Sequence, residues 1–277
     1  MVFQEQDLVR LTDTGRTAGQ LIRGERTGRR FSDELVRYES SPAHSEFCRR
    51  VFGIDLSQAD LMDKHQLDTL FDALSLTEHN RVLDLGCGIG RVAEYISDTT
   101  GAYVLGIDVA ADALVRARLR TADKRHRLDF QIGNMDLLDL PPASFDTVIA
   151  VASIHYAQDI AATIGQLKHA LTSDGQVALF SFQYQREGDP PEILLPENTT
   201  VGRALSQHGF QFRTWDFTDR EIAVRHKQVQ AANELMEKFA AEGNRDLAED
   251  RIEECELDLP RLEACKKRRY LFHAALS

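Results

Sequence analysis

The 277-residue sequence predicts an α/β protein: a doubly wound, mostly parallel sheet with an α-helical cap. Three observations predict it. Short apolar runs alternate with helical-period segments through the middle of the chain, the pattern of parallel βαβ units. The first of these runs, Arg81–Leu85, passes directly into a glycine turn and then a helix whose Val92, Tyr95 and Ile96 share a face. A second run ends in Asp108, about 20 residues past the glycines, where an acid can accept hydrogen bonds from a ribose.

The elements follow in order. Residues 1–30 are polar, with Gly15, Gly19, Gly24 and Gly28 among Arg16, Arg23, Arg26, Arg29 and Arg30. They form an arm that is either a frayed terminus or a flap over the ligand site. Phe31 to Glu39 make a short helix with Phe31, Leu35 and Tyr38 on one side. Ser41-Pro42 opens a second, whose Phe47, Cys48, Val51 and Phe52 share a face and which Gly53 stops. A third places Leu67, Leu70, Phe71 and Leu74 at helical spacing. These helices precede the first strand and are expected to cover the carboxyl edge of the sheet.

Strands are predicted at 81–85, 102–107, 128–132, 145–151 and 176–184. A helix with Ile160, Ile164, Leu167 and Leu171 inward separates the last two, ended by Ser173-Asp174-Gly175. A loop through Gly188-Asp189-Pro190-Pro191 leads to a helix near 197–208 and a sixth strand over 210–217. Thr218-Asp219-Arg220-Glu221 reads as a capping box. The helix it opens buries Val229, Ala232, Leu235, Met236 and Phe239, a further one spans about 244–256, and Asp258-Leu259-Pro260 starts a short last one. Lys266-Lys267-Arg268-Arg269 reads as cations at that helix's C-terminus, and Arg269–Leu276 as a closing strand.

Composition narrows the class. Hydrophobic content of 43% and charged content of 28% are ordinary for a globular domain. A net charge of −11 argues against non-specific binding to nucleic acid or an anionic membrane. Cys48, Cys87, Cys255 and Cys265 form no metal-ligand or C-x-x-C spacing, and the histidines no H-x-x-x-H. No metal is expected, and the cysteines read as reduced. Without an apolar leader or a run of about 20 apolar residues, the expectation is a cytoplasmic protein.

The glycine turn, Gly86-Cys87-Gly88-Ile89-Gly90-Arg91, is G-x-G-x-G and lacks the third glycine of the dinucleotide fingerprint. Together with Val82-Leu83-Asp84-Leu85 before it and Gly106-Ile107-Asp108 on the next strand, it resembles the class I S-adenosylmethionine-dependent methyltransferases. The resemblance covers roughly residues 80–185. It implies a Rossmann-like, seven-stranded sheet in the order 3-2-1-4-5-7-6, strand seven antiparallel. It also implies S-adenosyl-L-methionine as cofactor and S-adenosyl-L-homocysteine as product. The expected division is residues 1–78 as arm and cap helices, 79–218 as core, 219–267 as inserted cap helices and 268–277 as the closing strand.

The same resemblance assigns residues. Gly86, Cys87, Gly88 and Gly90 present backbone to the methionine part of the cofactor, with Asp84 beneath them. Asp108 takes the ribose; Ala110 stands where family members often carry serine. Asn134 caps the adenine amino group with Met135 beside it, Asp136 being the alternative. Val151 lies where a carbonyl meets the cofactor's ammonium. His155, after the fourth strand, is either a general base or a residue that shapes the pocket. Apart from the resemblance, position alone makes Tyr38, Glu39, Tyr156 and Tyr184 the acceptor-side candidates.

The expected function is transfer of a methyl group to nitrogen or oxygen of a small-molecule acceptor under a lid. A homodimer is compatible with it. The rivals are a C-methyltransferase of the same fold, a non-catalytic S-adenosylmethionine-binding regulator, and an NAD enzyme, which the glycine spacing disfavours.

Overall fold

The structure is a computed structural model and describes residues 32–58 and 62–276. The arm of residues 1–30 and Phe31 lie outside the described residues. Helix α1 covers residues 32–40. It is followed by α2 (Pro42–Phe52), α3 (Lys64–Leu74), β1 (Arg81–Leu85), α4 (Arg91–Thr100), β2 (Tyr103–Asp108), α5 (Ala111–Arg120), β3 (Leu128–Ile132) and β4 (Phe145–Val151). Then come α6 (Ile160–Ala170), β5 (Leu171–Tyr184), α7 (Thr200–Gln207), β6 (Phe210–Asp216), α8 (Thr218–Ala241), α9 (Arg245–Glu263) and β7 (Lys267–Leu276).

The seven strands form one sheet in the order β3-β2-β1-β4-β5-β7-β6. The first five are parallel, and β7 runs antiparallel between β5 and β6. Alternate residues feed two cores. Leu83, Leu85, Val148, Leu179 and Phe272 face α6 and α7. Val82, Val104, Phe130, Ile149, Phe180 and Leu271 face α3, α4 and α5. Burial on both faces is the reason the central strands read as near-continuous apolar runs.

A third core belongs to the cap. Leu35, Phe47, Val51 and Phe52 of α1 and α2 pack with Val224, Ala232, Leu235 and Phe239 of α8 and Leu247 of α9. Glu242, in the α8–α9 turn, accepts hydrogen bonds from Ser41 Oγ (2.5 Å) and Ala43 N (2.8 Å) at the start of α2. Arg37 of α1 reaches Asn244 (3.1 Å) and Asp246 (2.7 Å). These contacts join the two ends of the chain over the carboxyl edge of the sheet.

Four local expectations change. Ser173-Asp174-Gly175 lies in a bulge within β5: Leu171 already pairs with Phe145, and the ladder resumes at Gln176 with Thr147. The helix near 197–208 begins at Thr200, capped by the Thr199 side chain. Thr218 is the first residue of α8 and not its cap; its hydroxyl donates to Asp216 Oδ1 (2.5 Å). Glu221 does not return a capping bond, because its carboxylate is held by Lys267 (2.8 Å) and Arg225 (3.0 Å). A charge-assisted bond between buried ions outweighs one to a backbone amide. Finally, α9 runs unbroken past Pro260 to Glu263. Pro260 cannot donate to Glu256 O, but only the last turn of α9 lies beyond it, so little of the helix depends on that bond.

Candidate functional site

The glycine turn sits at the carboxyl end of β1 and is pinned to its neighbour. Gly86 N and Cys87 N both donate to Ile107 O of β2, at 2.7 and 3.1 Å. Gly86 (φ +75°) and Gly88 (φ +55°) occupy the left-handed region, where a side chain is strained. A β-carbon on Gly86 would fall on the Ser153 side chain, whereas one on Gly88 would meet only Leu35 Cδ1, at 3.4 Å. The wall at Gly88 is therefore bare backbone.

Asp108 ends β2 facing this wall. Its Oδ2 accepts from Gly88 N (2.7 Å) and its Oδ1 from Ala110 N (2.9 Å). Burial raises its pKa above the usual aspartate value, and the backbone amides of Ala110 and Gly88 oppose that shift. Each oxygen keeps lone-pair capacity for a further donor.

A cleft of about 1230 Å³ opens along this edge. Asp84, Gly86, Cys87, Gly88, Asp108, Asn134, Met135 and Val151 all line it. Gly90 does not: it starts α4 at φ +71°, and a β-carbon there would enter the Phe130 ring. Its glycine is needed for packing α4 on the sheet. Asn134 Oδ1 accepts from Asp136 N (2.9 Å), and Asp136 Oδ1 from Gln158 N (2.7 Å), which fixes the turn that carries both side chains.

The cap closes the opposite wall. Leu35 and Tyr38 come from α1, Ser57 and Gln58 from the loop after α2, and Asp250, Arg251, Glu254 and Leu257 from α9. Arg251 Nη2 donates to the Tyr38 hydroxyl (3.2 Å), which locks α9 to α1 at the cleft. Ser153 and Ala152, the latter at φ +49°, form the floor beside Tyr156. Sequence reasoning missed Ser57, Gln58, Ser153 and the α9 residues. For α9 a signal existed: Asp250, Glu254 and Leu257 recur at the helical period.

Glu39 is placed elsewhere. It sits on the far side of α1 from the cleft, bound by Arg120 (2.5 Å) and Arg91 (3.3 Å) in a shallow groove against α5. Tyr38, its neighbour in sequence, points to the cleft because adjacent helical residues diverge by about 100°. Tyr184 also stands away from the cleft lining; its hydroxyl reaches Asp258 Oδ1 at 3.4 Å, and Lys267 Nζ lies 5.2 Å from its ring centroid.

His155 is half-buried between Tyr156 and Phe182, with ring centroids 4.2 and 4.5 Å away. Burial, with the charges of Arg269 and Lys267, lowers its pKa to about 4. It is a neutral imidazole at neutral pH.

Behind it, Lys267 bridges Glu221 (2.8 Å) and Asp258 (2.7 Å), and Arg225 does the same at 3.0 and 2.6 Å. Burial pushes the pKa of both acids up, but the neighbouring cations prevail and hold them below the usual carboxylate range. Lys267 and Arg269 thus belong to a buried strand, not to a helix C-terminus.

A family model described as a methyltransferase domain matches residues 82–175. A structure of Haemonchus contortus phosphoethanolamine N-methyltransferase 2, with phosphomonomethylethanolamine and S-adenosylhomocysteine, superposes with a TM-score of 0.70 at 18% identity, over 89% of this chain and 60% of that one. The chain has the class I S-adenosylmethionine-dependent methyltransferase fold. That fold also serves the [4+2]-cyclase SpnF, which matches with a TM-score of 0.67 at 17% identity over 91% of this chain and 96% of that one. Among curated relatives, phosphoethanolamine N-methyltransferase 1 of Triticum aestivum is 26% identical, over 73% of this chain and 43% of its own length. The 27-O-demethylrifamycin SV methyltransferase of Amycolatopsis mediterranei is 34% identical, over 42% of this chain and 43% of its own length. The chain thus spans under half the length of these two methyltransferases. Among the described residues, no helix is long and apolar enough to cross a membrane, and no group of His, Cys, Asp or Glu is arranged to hold a metal ion.

Proposed function

We propose that this chain binds S-adenosyl-L-methionine in the cleft and transfers its methyl group to a nitrogen or oxygen of a small-molecule acceptor. The observation that carries the reading is the joint placement of Gly88, Asp108, Asn134 and Met135 on one wall of a cleft whose other wall is a cap. A dinucleotide site is disfavoured by the spacing of the turn, G-x-G-x-G in place of the G-x-G-x-x-G fingerprint.

When bound, the cofactor supplies an electrophilic methyl group on its sulfonium. The residues present fit it. Asp108 offers charged acceptors to ribose hydroxyls, Asn134 offers an amide to the adenine edge, and the bare backbone at Gly88 admits the methionine portion. The Tyr38–Arg251 contact and the α9 wall exclude water, so alignment of an acceptor can supply much of the barrier lowering, of order 7–11 kcal/mol at best. His155 shapes the acceptor end in this reading: with a pKa near 4 it takes a proton only weakly at neutral pH.

Relatives named for N- and for O-methylation both align to this chain, which supports either heteroatom as the target. The decisive experiment is a screen of amines, phenols and carboxylic acids for release of S-adenosylhomocysteine by the purified chain. Release with a methylated amine or hydroxyl product is the expected result. A methylated carbon would make it a C-methyltransferase, and tight S-adenosylhomocysteine binding without turnover on any acceptor would make it a binding protein.

A further inference from the structure

The cleft has room for more than one ligand, and its lining is anionic. At about 1230 Å³ it exceeds the upper end of the usual range for a single small ligand, about 1000 Å³. Its cap wall carries four carboxylates, Glu34 on α1 and Asp250, Glu253 and Glu254 on α9, and the sheet wall adds Asp84, Asp108 and Asp136. Against these acids stand two cations among the described lining residues, Arg91 and Arg251. Both are engaged. Arg91 faces Glu39 at 3.3 Å and Glu94 at 3.8 Å, and Arg251 donates to Glu254 (2.7 Å) and Tyr38 (3.2 Å).

The cap acids differ in what surrounds them. Glu254 is matched by Arg251 and by Arg225 at 3.5 Å. Asp250 feels the charge of Arg37, whose guanidinium is itself held by Asp246 (2.7 Å). Glu253 forms no ion pair among the described residues. Asp250, Glu253, Glu254 and Leu257 recur at the helical period, so they share one face of α9, and that face lines the cleft. Like charges three and four residues apart disfavour a helix, and a bound cation relieves them. The lining also leaves apolar surface open: Leu257 is 59% exposed beside these acids, and Tyr156, 51% exposed, offers an aromatic face in the same cleft. Open apolar surface in a concave site marks ligand contact, and carboxylates with an aromatic ring suit a cation.

We infer that the methyl acceptor is an organic cation, an amine protonated in solution and free of phosphate, held on the Asp250–Glu253 face of α9 with its apolar part beside Leu257. The inference rests on the methyl-transfer reading of this cleft. The cofactor's sulfonium brings a single positive charge, which leaves most of the wall unmatched. A phosphate would meet the same carboxylates with both lining arginines already paired, so the field repels it. The ammonium is the form recognised. For methylation at its nitrogen, the proton passes first to an exposed α9 carboxylate. The lone pair so freed forms the N–C bond, and the C–S bond breaks with its electron pair moving to sulfur.

Calorimetry of the full chain with S-adenosylhomocysteine bound tests this with three probes of one shape: benzylamine, benzyl alcohol and benzoate. Benzylamine should bind more tightly than benzyl alcohol by about tenfold or more, and benzoate more weakly than either. Its affinity should fall as salt is raised. Ethanolamine should bind more tightly than phosphoethanolamine. Asp250→Asn with Glu253→Gln should weaken benzylamine binding by about tenfold, each single variant giving part of the loss, while melting temperature and S-adenosylhomocysteine affinity hold. Glu256→Gln, on α9 but outside the cleft lining, should change nothing, which separates a recognising face from a helix that is merely acidic. The inference is overturned if neither amine binds, if benzyl alcohol or benzoate binds as well as benzylamine, if phosphoethanolamine binds better than ethanolamine, or if the double variant keeps wild-type affinity. Failure to bind S-adenosylhomocysteine refutes the methyl-transfer reading instead, and the same titrations without it still decide the charge preference.

Discussion

Asp108→Ala probes the proposed cofactor wall most directly. The wild-type carboxylate does two things: it offers charged acceptors toward the cleft, and it braces the glycine turn through Gly88 N (2.7 Å) and Ala110 N (2.9 Å). Removing hydrogen bonds from ribose hydroxyls to a charged acceptor costs about 1.5–3 kcal/mol. Orphaning two backbone amides costs about a further 1 kcal/mol, water recovering the rest. Cofactor binding should therefore weaken by about 2.5–4 kcal/mol, or about 70- to 900-fold in Kd. Calorimetry with S-adenosylhomocysteine reads this, with a circular dichroism melt to confirm that the variant is folded. Asp108→Asn, which keeps shape and one acceptor, should lose less. Because burial raises the Asp108 pKa and the ionised form is the acceptor, wild-type affinity should fall on the acid side, beginning above the usual aspartate range. A folded Asp108→Ala variant with wild-type affinity would refute the assignment and the arithmetic together.

Lys267→Met takes from Glu221 and Asp258 the cation that bridges them, leaving Arg225 and, for Asp258, Arg261 (3.6 Å), and should destabilise the fold by about 3–5 kcal/mol in urea; adding Glu221→Gln should recover part of it. Both acids titrate below the usual range in the folded chain, so their stabilisation is present above about pH 4 and lost as pH falls through the folded values; melts at pH 3 and pH 7 should differ more for the wild type than for the double variant. Gly90→Ala meets Phe130 and should lower the melting temperature, whereas Gly88→Ala should chiefly weaken S-adenosylhomocysteine binding; equal effects on both measurements would contradict the separate roles. Turnover of the wild type should show no limb near pH 6.5, since His155 titrates at about 4; a limb there that vanishes in His155→Gln would restore it as the base.

The sheet, and the residues that share one wall of the cleft, were legible because their signals are local. Gly86 to Gly88, Asp108 and Asn134 each lie at the carboxyl end of a strand, and a strand's end fixes where the residues there point. Tyr38 and Glu39 show the limit: both sit on one predicted helix, and only the surroundings decide which faces the cleft. Arg116 and Arg120 on α5 claim Glu39, at 3.9 and 2.5 Å, a pairing no spacing in the sequence announces. The wall supplied by Arg251 and Glu254 arises more than 140 residues from β2 and was invisible for the same reason. Thr218 and Glu221 fit a local rule that a long-range one overrode. Lys267 and Arg269 misled most, because a cluster of cations reads as solvent-facing until the strand that carries it is seen to be central.

The position of β7 in the sheet also sets an order of events during synthesis. It lies between β5 and β6, yet it follows both in the chain, and β6 has no other strand partner. While residues 267–276 are still inside the ribosome, β5 presents an open edge and β6 is a strand without a sheet. The apolar residues Phe180 and Leu179 on β5 are then exposed along that edge, a template for pairing with another nascent chain. Folding of the core is thus a late event with a high share of long-range contacts, and slow by that measure. Any change that delays or truncates this segment acts on three of the seven strands at once, although it alters only ten residues.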